Sequence, residues 1–318
     1  MTEQYGLTHP ESFVAEATFY AMLRDANVDT IELDCHVLSA TTTTAAPTTT
    51  APSRIAGLTM SCAPDTPLTA TVFIDASYDG EIMLAAGDIE YTSGREARAQ
   101  YNESLAGARV PGWTGVSGPR HVDALRADGS LLKYVQNLSE LAAPGTADDA
   151  LMAFQHRLCI TTNASNRVTW RKPAGYNADD FLLLQRAIDE AGHSSFSLGS
   201  HPPGLPASIN KFTTCCGIAV DASDTPRLNA GWASASWERK QQIIADHTYF
   251  ELGSYYFLAN DSPTAAVRAK YSTYGLCADE FAAFGNVPPQ LYIRASNRLV
   301  GDYVMTRTTR RLLARRPC

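Results

Sequence analysis

Residues 71–87, TVFIDASYDGEIMLAAG, decide how the chain is to be read. An apolar run ends in Asp75, small residues and Gly80 follow, and Glu81 opens a stretch of helix formers. The pattern predicts a buried strand, a tight acidic turn and a helix. In nucleotide-binding sheets such a turn lies at the carboxyl end of a strand, where backbone N–H groups approach a phosphate or ribose. Asp75, Asp79 and Glu81 are of the type that accepts from ribose hydroxyls. The same residues also suit an Asx turn that caps the following helix, and the pattern taken alone favours that cap.

Upstream, HPESFVAEATFYAMLRDANV predicts a first helix, with Phe13, Val14, Ala17, Met22 and Leu23 at helical spacing. An extended run from Thr30 to about Ala40 follows. Residues 41–53 form a Thr/Ala/Pro-rich insertion that cannot build a core and is expected at a hairpin tip. RIAGLTMSCA then alternates as a returning strand. Residues 1–90 thus read as half of an α/β unit. Beyond residue 91 the texture becomes polar and Gly-rich. LMAFQHRLCITTN alternates across Met152 to Thr162 and predicts a strand of a second, mixed sheet. A helix is expected after Asn177 as N-cap, ending at Gly192. A long helix should carry Ile243, Ile244, His247 and Phe250 on one side, and another should open with Ser262 as cap and close at Gly275. The expected division is 1–90, 91–306 and a basic tail at 307–318.

Composition narrows the function classes. Across 318 residues, 26 Lys and Arg against 33 Asp and Glu leave a net charge of −7, which gives no general affinity for nucleic acid or an anionic membrane. Arg307, Arg310, Arg311, Arg315 and Arg316 cluster at the end, as a solvated tail or a basic patch. The seven cysteines are odd in number, widely spread and without a CxxC pair, so no metal site is expected and a reducing compartment fits weakly. Cys215 and Cys216 are adjacent, either ordinary thiols or a vicinal disulfide. NES, NLS, NAS and NDS, beginning at Asn102, Asn137, Asn163 and Asn260, have the form of glycosylation sequons. No apolar signal core or bilayer-length run is seen, which makes a soluble, cytoplasmic protein the default expectation.

Three side chains stand out as candidates for chemistry. Arg157, in FQHRLCITTN, shares a strand face with Gln155 and would meet either a ligand oxygen or a structural carboxylate. Arg294 and Arg298 lie four apart, as on one helix face. His247 would be a general base or a hydrogen-bonded helix histidine. No G-x-G-x-x-G, P-loop, G-x-S-x-G or H-E-x-x-H pattern occurs, and no carboxylate pair has a spacing that demands glycoside hydrolysis.

VFIDASYDGEIMLAAGDIEYTSGREARAQYNESLAG, FQHRLCITTNASNRVTWRKPAGYNADDFLLLQRAI, YFLANDSPTAAVRAKYSTYGLCADEF and PPQLYIRASNRLVGDYVMT resemble, in this order, the FAD-dependent oxidoreductase family. The resemblance implies a glutathione-reductase-like flavin fold: a partial FAD/NAD(P)-binding domain plus a mixed α+β substrate domain. It implies FAD as cofactor, a small-molecule substrate, and a cofactor edge made by Asp75, Ala76, Ser77, Gly80 and Glu81, with the backbone near Val37 beside the adenine. Arg157, Arg294 and His247 are the catalytic candidates. The family's Gly-rich phosphate-binding unit and flavin-closing segment have no counterpart here, so the resemblance also implies an incomplete copy. The alternative is a non-catalytic ligand- or partner-binding domain without flavin.

Overall fold

A computed structural model of the chain describes residues 10–43, 54–87, 89–108, 122–191, 210–214 and 226–306. Cys215, Cys216, Gly192, most of the Thr/Ala/Pro insertion and the Arg-rich tail lie outside the described residues. The chain forms two compact units, both discontinuous: residues 1–26, 109–141 and 152–294, and residues 27–108, 142–151 and 295–318.

The division departs from one drawn along the sequence at residue 90. Helix α1 (Ser12–Asp25) belongs with the larger unit. Its start is tied there by Phe13 N–H donating to Glu280 Oε2 at 3.0 Å, and by Glu11 pairing with Lys211 at 2.6 Å. Lys211 also meets Asp279 at 2.9 Å and Glu280 at 3.0 Å. No residue of α1 is buried, and Phe19 and Met22 stand out to solvent.

In the smaller unit, β1 (Val37–Thr43), β2 (Arg54–Met60) and β3 (Ala63–Leu68) form an antiparallel meander in that order. Thr43 faces Arg54, which puts the Thr/Ala/Pro insertion at the tip of the β1–β2 hairpin, as its composition predicts. Residues 69–80 form no strand. Val72 and Ile74 are 71% and 82% exposed, so the expected buried strand is corrected to an extended, solvent-facing segment. β2 already has partners on both edges, and no other described strand pairs with residues 71–75, so their apolar side chains have no layer to bury against. Helix α2 (Glu81–Ala86) and the short pair β4 (Tyr91–Thr92) and β9 (Arg298–Leu299) complete this unit.

The larger unit holds almost all of the described core. Its sheet runs β6-β8-β5-β7, from β5 (Cys159–Thr161), β6 (Arg167–Val168), β7 (Lys211–Thr213) and β8 (Gly275–Cys277). Every described pairing in it is antiparallel, which corrects the expected mixed sheet, and the strand predicted over 152–162 shortens to Cys159–Thr161. Against it pack α3 (Leu182–Ala191), α4 (Trp237–Tyr256) and α5 (Ala265–Tyr271), around Leu158, Ile160, Phe181, Ile188, Phe250 and Tyr255.

The helix signals in the sequence work largely as physics requires. Asn177 accepts from the N–H of Asp179 and opens the 3₁₀ turn leading into α3; Ser236 Oγ accepts from the N–H of Arg239 and caps α4. Ile243, His247 and Phe250 face inward from α4 as their spacing predicts. At Gly253 a Cβ would sit 2.4 Å from Phe181 Cζ, so only glycine lets the helix approach that ring. Ser262 is not the cap of α5, whose N-cap is Thr264; its hydroxyl instead donates to Gln185 Oε1 at 2.7 Å.

Among the described residues two disulfides form. Cys35–Cys62 ties the entry of β1 to the β2–β3 turn, and Cys159–Cys277 bridges facing residues of β5 and β8. Cys35, Cys62, Cys159 and Cys277 are therefore paired, which runs against the weak fit to a reducing compartment. Their partners are 27 and 118 residues apart in sequence, a pairing no local spacing reveals.

Candidate functional site

The turn at 75–81 is built around one carboxylate. Asp75 Oδ1 accepts from Ser77 N–H at 3.0 Å and Ser77 Oγ at 2.7 Å. Its Oδ2 accepts from Ile82 N–H at 2.9 Å and Met83 N–H at 3.3 Å, while Ser77 Oγ accepts from Glu81 N–H at 2.9 Å. The roughly four acceptor sites of a carboxylate are thereby filled. Partial burial works to raise the Asp75 pKa, but the bonds from Ser77, Met83 and Ile82 outweigh it and hold the carboxyl below its usual range. The helix-capping geometry is thus fully realised. Gly80 has φ +69°, a left-handed conformation that admits glycine readily. Ala76 and Ser77 are exposed, Glu81 begins α2, and Val37 begins β1 opposite Met60. Asp79 is buried, and its carbonyl accepts from Asn297 Nδ2 at 3.2 Å.

The adjoining Gly94–Arg95–Glu96 turn is fixed in the same unit. Arg95 forms a two-pronged pair with Asp148 and exchanges backbone hydrogen bonds with it. Glu96 pairs with Arg298 at 2.9 Å. Gly94 has φ +71°, and a Cβ there would lie 2.2 Å from Asp148 O, so the close approach of these strands requires glycine. These charges are structural.

In the larger unit the structure brings two of the three catalytic candidates together. Tyr292 N–H donates to Gln155 O at 2.7 Å across an isolated antiparallel bridge. Residues two apart on an extended chain share a face, so Gln155 and Arg157 lie on the side of Tyr292 and Arg294. The Arg157 guanidinium carbon is 4.4 Å from the Tyr292 ring centre, and that of Arg294 is 5.7 Å from it. Gln155 is wholly buried, and neither its Oε1 nor its Nε2 has a hydrogen-bond partner among the described residues. An amide left so costs about 1–3 kcal/mol.

The expected helix carrying Arg294 and Arg298 is not formed. Pro288 and Pro289 precede an extended segment that pairs with Gln155, and the two arginines fall in different units. Tyr292 is the residue the sequence reading missed. Its signal was the two-residue spacing to Arg294, read instead in helical periodicity.

His247 sits elsewhere in that unit's interior. Its ring stacks on Phe154 at 6.4 Å, and Nδ1 is 3.9 Å from Glu251 Oε1. His156 N–H donates to Glu251 Oε1 at 2.8 Å, and His156 Nδ1 lies 3.4 Å from Oε2. Burial, reinforced by His156, pushes the His247 pKa down to about 3, so the imidazole is neutral at physiological pH. Among the described residues no three His, Cys, Asp or Glu side chains are grouped to hold a metal ion, and no helix is long and apolar enough to cross a membrane.

The family model described as FAD dependent oxidoreductase matches residues 2–315. The chain belongs to this family. No curated protein and no solved structure matches it. The protein is thus of the FAD-dependent oxidoreductase family, of mixed α/β class, with FAD as the family's cofactor. The 75–81 turn does not fit FAD's pyrophosphate, because Asp75 and Ser77 consume the N–H groups of Ser77, Glu81, Ile82 and Met83. The turn carries only small side chains at Ala76 and Gly80.

Proposed function

We propose that the protein is a flavin oxidoreductase serving hydride transfer between a small organic substrate and FAD. What carries this reading is the family match along nearly the whole chain. FAD supplies the hydride-accepting ring; the chain's own residues bind and orient. We assign the cofactor edge to the Ala76–Gly80 backbone, Glu81 and the start of β1 at Val37, with Asp75 and Ser77 holding the turn in shape. We assign substrate binding to Arg157 and Arg294. Both guanidinium groups lie over the Tyr292 ring, which gathers two cations where a ligand of negative charge or carbonyl character would meet them. His247, neutral and enclosed, supports the packing behind that strand. A glutathione-reductase-like arrangement of the flavin unit belongs to the same proposal.

The second reading, a ligand-binding domain without flavin, draws on the turn's occupied amides. Titration of the purified chain with FAD separates the two. We expect saturable quenching of flavin fluorescence and a shifted flavin absorption band. Unchanged flavin spectra at saturating protein would refute the oxidoreductase reading and leave the binding domain.

A further inference from the structure

We infer that Gln155 and Arg157 form a two-point recognition site for a small carboxylic acid bearing a hydroxyl or amino group beside the carboxylate. This rests on the reading of the Tyr292 face as the substrate-binding face and names the substrate class.

The argument begins with the amide. Gln155 is 0% exposed, and both its donor and its acceptor lack a partner among the described residues. A side chain with one donor edge and one acceptor edge is satisfied by a ligand group of matching pair, such as a carboxylate oxygen next to a hydroxyl or amine. Replacing Gln by an apolar residue of similar size would relieve the fold of that standing penalty.

Arg157 is two positions along on the same face. Its guanidinium stacks on Tyr292 at 4.4 Å and engages no carboxylate among the described residues. Stacking occupies the π face and leaves the in-plane N–H fork, whose geometry matches a carboxylate bidentately. Arg294, over the same ring at 5.7 Å, adds positive potential to that face. The fork selects the carboxylate, and the amide selects the neighbouring hydroxyl or amine.

The test uses the full, flavin-free chain and glycolate, with neutral glycolamide as control, read by thermal shift and calorimetric titration. Glycolate should raise the melting temperature and bind, with glycolamide at least tenfold weaker. Gln155→Leu should weaken glycolate about tenfold while the ligand-free protein melts at the same temperature or higher. Arg157→Met, altered at a partly exposed side chain, should abolish the glycolate shift, and Arg157→Lys should restore only part of it. The inference fails if glycolate gives no shift, if glycolamide binds equally, or if Arg157→Met binds glycolate as the parent does. It fails also if Gln155→Leu melts lower with glycolate affinity unchanged, which is the signature of a structural glutamine. FAD titration on the same samples reports separately, so loss of flavin binding with glycolate binding intact sinks the oxidoreductase reading alone.

Discussion

Asp75 shows how one carboxylate can organise a segment. It collects four hydrogen bonds, all from residues 77–83, and starts helix α2. Asp75→Ala should cost about 1 kcal/mol, the usual loss on removing a helix cap, measured by chemical unfolding. Because the folded-state pKa lies below the unfolded value, the wild-type advantage should be complete above about pH 4 and fade as pH falls through the folded value. Equal stability of Asp75→Ala and the parent at pH 7 would contradict the capping role. This residue was legible from sequence, since Asp followed by small residues and Gly names the turn by its chemistry. Gln155 was only half legible: the two-residue period placed it beside Arg157, but the lack of a partner for its amide is a fact about surrounding atoms.

At the scale of elements, β5 and β8 meet with Cys159 opposite Cys277, so the disulfide staples the centre of the larger unit's sheet. The bond closes a loop between residues 118 apart, for which chain entropy gives stabilisation of about 4–5 kcal/mol. A Cys159→Ser, Cys277→Ser double variant should lose most of that in denaturant unfolding, with the parent losing at least as much under reductant, which also opens Cys35–Cys62. Parent unfolding that is insensitive to reductant would show that the bond is not formed. The element readings that succeeded were the helices over 12–25, 182–191 and 237–256, the second approached through the Asn177 cap and the third opened by Ser236. Those that failed were short apolar runs. TVFID satisfies strand propensity, yet a strand needs a neighbour's ladder, and none of the described strands pairs with it. The run containing Arg294 failed similarly, since a four-residue spacing fits helical and extended chains alike until Tyr292 pairs with Gln155.

For the whole molecule, the consequential cluster is His156, His247 and Glu251, enclosed in the main core. In the unfolded chain His247 takes up a proton near pH 6.5, whereas in the fold it resists protonation until about pH 3. The unfolded state therefore binds more protons across that window. Stability is full above about pH 6.5 and falls as pH drops, by up to about 1.4 kcal/mol per pH unit from this group. His247→Leu should flatten that acid limb, as read from urea unfolding at pH 8, 6.5 and 5. Parallel losses in the variant and the parent would assign the acid sensitivity elsewhere.

Residue order alone carries the family, through motifs spread over most of the chain, together with the three longest described helices, the Asn177 cap and the hairpin strands that flank the Thr/Ala/Pro insertion. The helices, the cap and the hairpin are local matters, set by dihedral preference and hydrogen bonds within a few residues. The folded structure added which cysteines pair, that the described sheets are antiparallel, and that Val72 and Ile74 face solvent. It alone gathered Gln155, Arg157, Tyr292 and Arg294 on one face. Each of these depends on contacts between residues far apart in the chain, whose free energy no local pattern records.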